Sequence, residues 1–307
     1  MVALQSIRPA VSSIARNPLL LVITAAYGLL QLPQFVGQSL SPLAGAAVSL
    51  AMTGVILVTL PFYQGGLLAM ADEARTGSTA LATFITAGKS NYLALLLAYL
   101  VLIAVATVFF IIGIVVAIFG GISVLAAGEP NTALLVIVGL LGALATLAYL
   151  LAIFLIQFYG HAIVLSDSDV IESFRHSISL VRTNLVTVLG YSIIIGVGGV
   201  VLGLFASVAS IVFAPENPLG SVLPELSVAI FLVAGVVYLV STALLGAFYA
   251  TYSVCVYREL EPTQTAAGDP PVDDTAAGDP PADRDSDTTS FGDRSDRSPS
   301  DPAGSSS

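Results

Sequence analysis

Six long apolar runs, at 18–36, 43–71, 91–119, 132–160, 185–213 and 226–254, contain no Asp, Glu, Lys or Arg. About 20 apolar residues in a helix cross ~30 Å of hydrocarbon, and each run is near or beyond that length. With 56% hydrophobic and 10% charged residues, the chain has no material for the charged outer surface of a soluble domain of this size. The expected fold is all-α: a polytopic bundle of six transmembrane helices.

The basic residues orient the bundle. Threaded in order, six crossings put Arg8, Arg16, Arg75, Lys89, Arg175, Arg182 and Arg258 on one face, and Arg284, Arg294 and Arg297 follow in the tail. The opposite loops, 37–42, 120–131 and 214–225, carry only Glu129, Glu216 and Glu225. Short loops rich in Lys and Arg stay in the cytoplasm, so both termini are expected inside a cell-membrane protein. The first run follows two arginines like a signal peptide, but its 19 residues and lack of a clear small-x-small cleavage site favour a retained helix.

Three segments are too polar to cross yet have helical periodicity. Leu4, Ile7, Val11 and Ile14 mark the first; Leu81, Phe84 and Ile85 mark the second, after Ser78 as a candidate cap; Ile171, Phe174, Ile178 and Val181 mark the third, where Asp169 and Glu172 have capping-box spacing. They are expected to be amphipathic interfacial helices in the headgroup plane, or else to pack on the inner ends of the bundle. Each ends in a base and then an Asn: Arg16-Asn17, Lys89-Ser90-Asn91 and Arg182-Thr183-Asn184. The base can snorkel to headgroups, and the Asn can cap the following span.

Phe62-Tyr63, Phe158-Tyr159 and Phe248-Tyr249 each stand near the inner end of a returning span. With 14 Phe and 11 Tyr in 307 residues, chance gives roughly 0.5 such pairs, so three at equivalent places suggest three repeated two-span units, near 4–73, 78–169 and 170–258. The alternative is an aromatic belt at the inner interface.

Residues 1–258 form the expected six-span domain, and 259–307 an acidic cytoplasmic tail. The tail repeats Thr265–Pro271 at Thr275–Pro281 and has Phe291 as its one aromatic residue. It cannot bury enough apolar surface to offset chain entropy and is expected to be disordered. The lone Cys255 lies in apolar sequence and reads as a buried, inert thiol.

No Asp, Glu, Lys or Arg lies within the spans, which removes the charged groups that proton relays, ion-coupled pumps and voltage sensors need. Gln64 and Gln157 are the candidate polar contacts, either as glue between helices or as contacts to a polar substrate. Pro33 and Pro61 should bend their spans. The one ionisable cluster, His161, Asp167, Asp169, Glu172 and His176, has ligand chemistry but no metal motif, and equally makes a solvated helix face. No phosphate loop, dinucleotide fingerprint or nucleophile elbow is present. No cofactor, metal or catalytic residue is therefore expected, and the bases form no nucleic-acid patch.

The stretch Tyr63–Gly77, running on to Gly88-Lys89-Ser90-Asn91-Tyr92, and the later stretch Ser173–Asn184 resemble a haloarchaeal family of uncharacterised six-span membrane proteins. That family is distantly similar to the membrane domain attached to some glycerophosphodiester phosphodiesterases. The resemblance covers about 1–258 and implies six spans, no hydrolase activity and no transferable functional residues. The expected function is a non-enzymatic scaffold or accessory module, with the bilayer and other membrane proteins as partners. The alternative is a channel or carrier for a neutral or apolar solute, and a membrane-embedded enzyme is third. A cavity at mid-depth reached by Gln64 or Gln157 favours the carrier; a solidly packed bundle favours the scaffold.

Overall fold

The computed structural model describes residues 2–38, 42–126, 132–213 and 228–268. The elements among them are all helical: α1 (Val2–Gln5), α2 (Ile7–Arg16), α3 (Leu19–Gln38), α4 (Pro42–Thr76), α5 (Leu81–Ser90), α6 (Tyr92–Ala126), α7 (Thr132–Ile156), α8 (Tyr159–Leu165), α9 (Val170–Thr183), α10 (Leu185–Phe213) and α11 (Val228–Gly268). The chain divides into a unit of residues 1–268 and a second of 269–307. The second unit, with most of the acidic tail, lies outside the described residues.

Five helices are long and apolar enough to cross a membrane, and the pair Ala3–Arg16 and Leu19–Gln34, bent by 87°, makes a sixth if counted as one span. Much of α6, α7 and α10 turns Leu, Ile, Val and Phe outward, among them Phe110, Leu140 and Val200. In water such exposure would cost about 25 cal/mol per Å² of apolar area; hydrocarbon removes the cost. This is a membrane protein.

Burial concentrates where α2, α4, α8, α9 and α11 meet. Tyr252, Tyr257, Phe158, Leu180 and Val256 are buried in one cluster, and Leu20, Met70, Ala71 and Val254 in a second. Small residues bring the backbones close. Gly28 faces Thr242 while Gly246 faces Thr24, whose hydroxyl donates across to the Ala243 carbonyl at 2.9 Å. Between α4 and α5, a Cβ on Gly66 would lie 2.5 Å from the Phe84 carbonyl oxygen, and one on Gly88 would lie 2.8 Å from that of Phe62. Small residues at crossings are the usual means of helix association in lipid.

The three short helices pack differently from the apolar stripes that mark them in the sequence. In α1–α2 the buried line is Ala3, Ser6, Ala10 and Ser13, while Leu4 and Val11 face outward. Leu81 and Ile85 of α5 and Ile171 of α9 are likewise exposed, whereas Gly88, Ser173 and Ser177 are buried. In α1–α2 a small, polar stripe meets the bundle; in α9 Leu180 and Val181 are buried beside Ser173 and Ser177, while part of the apolar stripe faces outward.

The cap chemistry also differs from expectation. Asn17, Asn91 and Asn184 each donate from Nδ2 to the carbonyl four residues back, of Ser13, Ala87 and Leu180, and so close the preceding helix. Their backbone carbonyls, not their side chains, begin the next helix. The N-cap of α5 is Ala80 rather than Ser78, and Asp169 makes no side-chain cap bond, so the capping box is absent. Glu73 holds the start of α5 instead, accepting from the Thr79 and Thr83 hydroxyls at 2.7 Å each. Pro33 and Pro61 both sit inside their helices, α3 and α4.

Two further features shape this packed region. Helix α11 continues ten residues past Arg258, with Leu260 buried in the core, so packed structure reaches beyond the compositional change at 259. The long apolar stretch Leu135–Leu165 is interrupted at Gln157-Phe158, between α7 and α8. There the Ser177 hydroxyl accepts from the Phe158 N–H at 3.1 Å and donates to the Leu155 carbonyl at 3.0 Å, pairing groups the break leaves open.

Candidate functional site

An open cavity of about 370 Å³ lies among α3, α4, α6, α8, α10 and α11. Helix α3 contributes Tyr27 and Gln31, α4 contributes Tyr63, Gln64 and Leu67, and α6 contributes Tyr99. His161 comes from α8, Tyr191 from α10, and Thr242, Tyr249 and Ser253 from α11. None of its lining residues is Asp, Glu, Lys or Arg.

Aromatic rings and amides organise the walls. Tyr27 and Tyr63 stack with centroids 4.1 Å apart, and Tyr99 meets Tyr159 edge-on at 6.3 Å. Gln64 Oε1 accepts from the Tyr99 hydroxyl at 2.7 Å, while a Cβ on Gly160 would lie 2.6 Å from Gln64 Nε2. Glycine at 160 thus leaves room for the amide. Gln31 Oε1 accepts from the Tyr238 hydroxyl at 3.1 Å, and the Tyr249 hydroxyl donates to the Ile195 carbonyl.

His161 differs from these groups. It is 6% exposed, its ring stacks on Tyr257 at 5.4 Å and meets Phe158 edge-on at 5.5 Å, and neither ring nitrogen has a hydrogen-bond partner. A buried polar group without a partner costs about 1–3 kcal/mol.

The residues singled out in the sequence divide between cavity and framework. Gln64, Tyr63 and Tyr249 line the cavity. Gln157 does not: its Nε2 donates to the Phe154 carbonyl and its Oε1 accepts from Ser192, joining the turn after α7 to α10. Phe62 covers Gly88, Phe158 is fully buried beside Tyr191, Tyr159 stacks on Phe174, and Phe248 stacks on Tyr252. The ionisable cluster separates, since His161 faces the cavity while Asp169, Glu172 and His176 line a surface hollow on α9. Among the described residues no three His, Cys, Asp or Glu stand close enough to hold a metal.

Sequence reasoning misses Tyr27, Tyr99 and Tyr191. Their signal is positional, because they follow Asn17, Asn91 and Asn184 by 10, 8 and 7 residues, about two to three helical turns into the helix that follows each Asn.

Near the C-terminal end of α4, Asp72 pairs with Arg258 of α11 at 2.7 Å and with Arg75 at 3.1 Å. Arg258 also reaches Glu261, which accepts from Ser166 at 2.7 Å. Asn17 ties α2 to the turn after α4, donating to the Gly77 carbonyl and accepting from the Thr79 N–H at 2.9 Å. These bonds join α4 to α11 and α2 to the turn after α4.

No curated protein and no solved structure matches the chain. A family model does match over residues 1–260, and the chain therefore belongs to the family described as a domain of unknown function (DUF7847).

Proposed function

We propose that this protein is a non-enzymatic, six-span protein of the cell membrane that holds a neutral small molecule between its helices, as a carrier or channel for such a solute does. The observation that carries this is the uncharged cavity reached by Gln64. Its depth supports the same reading. Gln64 stands eight residues before Asp72, and Tyr99 eight after Asn91, each about 12 Å along a helix from the polar end, near the middle of ~30 Å of hydrocarbon. A scaffold alone would call for packed side chains at that level.

The finer architecture belongs to the same proposal. Both termini face the cytoplasm, with α2, α5 and α9 in the inner interface and an acidic, disordered tail beyond the six-span domain. The outward-facing Leu4, Val11, Leu81, Ile85 and Ile171 support lipid contact by the short helices. Three two-span units are supported by a recurring contact in which the inbound Tyr meets the outbound span of its own unit. Tyr63 stacks on Tyr27, Tyr159 meets Tyr99, and Tyr249 donates to Ile195. The break before Tyr159 has no counterpart at Tyr63 or Tyr249. Kinship with haloarchaeal six-span proteins, and distantly with the membrane domain of glycerophosphodiester phosphodiesterases, is part of this reading, as is association with other membrane proteins.

The test is extraction of the protein purified from its native membrane. A neutral small molecule should be recovered near one per chain, and Ala250→Phe, which fills the cavity, should abolish it. Equal recovery from both forms, or a stoichiometric protein partner with no small molecule, would return the function to the scaffold.

A further inference from the structure

We infer that the cavity takes a neutral, lipid-soluble ring bearing carbonyl or hydroxyl oxygens, the chemistry of a quinone or phenol, with one oxygen on His161; this rests on the binding function proposed above. Three observations converge on that class. The lining holds no charged side chain, which excludes compensation for an ionic headgroup in a setting where unpaired charge is strongly disfavoured. Five tyrosines (27, 63, 99, 191 and 249) supply flat, weakly polar walls, against which a planar ring packs with offset-stacked or edge contacts. His161, buried in the same wall with both ring nitrogens covered in the unliganded fold, leaves a donor and an acceptor unused on its imidazole, and a turn of the ring would offer one of them to a bound oxygen.

A purely aliphatic ligand would leave that imidazole unsatisfied. A ring carbonyl accepts from its N–H, and a ring hydroxyl donates to its free nitrogen, so the oxidised and reduced forms of one ring both suit it. The volume of about 370 Å³ is near the low end of ~300–1,000 Å³ for ligand pockets and suits one substituted ring, any alkyl tail extending between the helices toward lipid.

The chain has 11 Tyr and no Trp, so its intrinsic fluorescence reports on the residue type that lines the cavity. Full-length protein in nanodiscs would be titrated with decylubiquinone, with decylbenzene as a matched competitor lacking ring oxygens. The expected result is saturable quenching that decylbenzene does not displace, weakened at least tenfold by His161→Phe and largely restored by His161→Gln. Ligand-free His161→Phe should melt at or above the wild-type temperature, because it removes an unsatisfied group. If His161→Phe binds like wild type, or decylbenzene displaces equally, the oxygen-bearing ring is wrong while the cavity reading stands. A lower melting temperature without restoration of binding by His161→Gln would make His161 structural and overturn the inference. If neither compound binds saturably and Ala250→Phe changes nothing, the binding function itself falls.

Discussion

Gly66 and Gly88 face Phe84 and Phe62 at distances where a methyl group meets a backbone oxygen, which cannot swing away as a side-chain tip can. Gly66→Ala and Gly88→Ala should each cost about 1–3 kcal/mol, the usual penalty for overpacking. Gly54→Ala, with open space around its added Cβ, should be close to neutral. Reversible unfolding in detergent would rank the three, and equal effects would refute the close approach. Ser177→Ala belongs to the same scale. It leaves the buried Phe158 N–H without its acceptor and should cost about 1–3 kcal/mol, whereas Ser179→Ala, on the exposed side of the same helix, should cost much less.

At the scale of elements, the three Asn residues divide by what they join. Asn91 and Asn184 donate only to groups of their own helix end, whereas Asn17 also bonds to Ala74 in the last turn of α4 and to Gly77 and Thr79 just beyond it. Asn17→Ala should therefore destabilise the protein by about 2 kcal/mol more than Asn91→Ala or Asn184→Ala, since it leaves buried partners unmet. Comparable losses at all three would make them local caps alike. The Asp72–Arg258 pair bridges α4 and α11 with both side chains about one-quarter exposed. Asp72→Asn should lower stability by about 1–3 kcal/mol, with the gap narrowing in high salt if the attraction is partly screened.

For the whole molecule, the buried Cys255 simplifies a topology test, because a maleimide should leave the wild-type protein unlabelled. Leu40→Cys, Glu129→Cys and Asn217→Cys should label from outside, and Ser78→Cys and Arg175→Cys only after the membrane is opened. External labelling at 78 or 175 would invert the proposed orientation. The all-helical fold and the long apolar helices are legible in the runs without charge, because hydrocarbon length is a constraint written directly into sequence. The cavity is only half legible. Gln64 stands out as a lone amide in a span, but sequence proximity groups His161 with Asp169 and Glu172, which lie away from it in the fold. Periodicity marks Leu4 and Val11 as the apolar stripe of the first helix, and both face outward from the bundle. Burial in a bundle surrounded by lipid instead follows small size and backbone proximity, so Ala10 and Ser13 turn inward.

The contacts that join the two ends of the helical unit carry a consequence for synthesis. The Tyr252 hydroxyl donates to the Ala3 carbonyl across 249 residues, and Thr24 reaches Ala243 across 219. The first helices to leave the ribosome must therefore wait for the last before their partners exist. Until α11 arrives, the Thr24–Gly28 face stands open to whatever lipid or insertion factor is beside it. A chain stalled before residue 228 thus lacks the partners of its oldest helices, Ala243 for Thr24 and Tyr252 for Ala3.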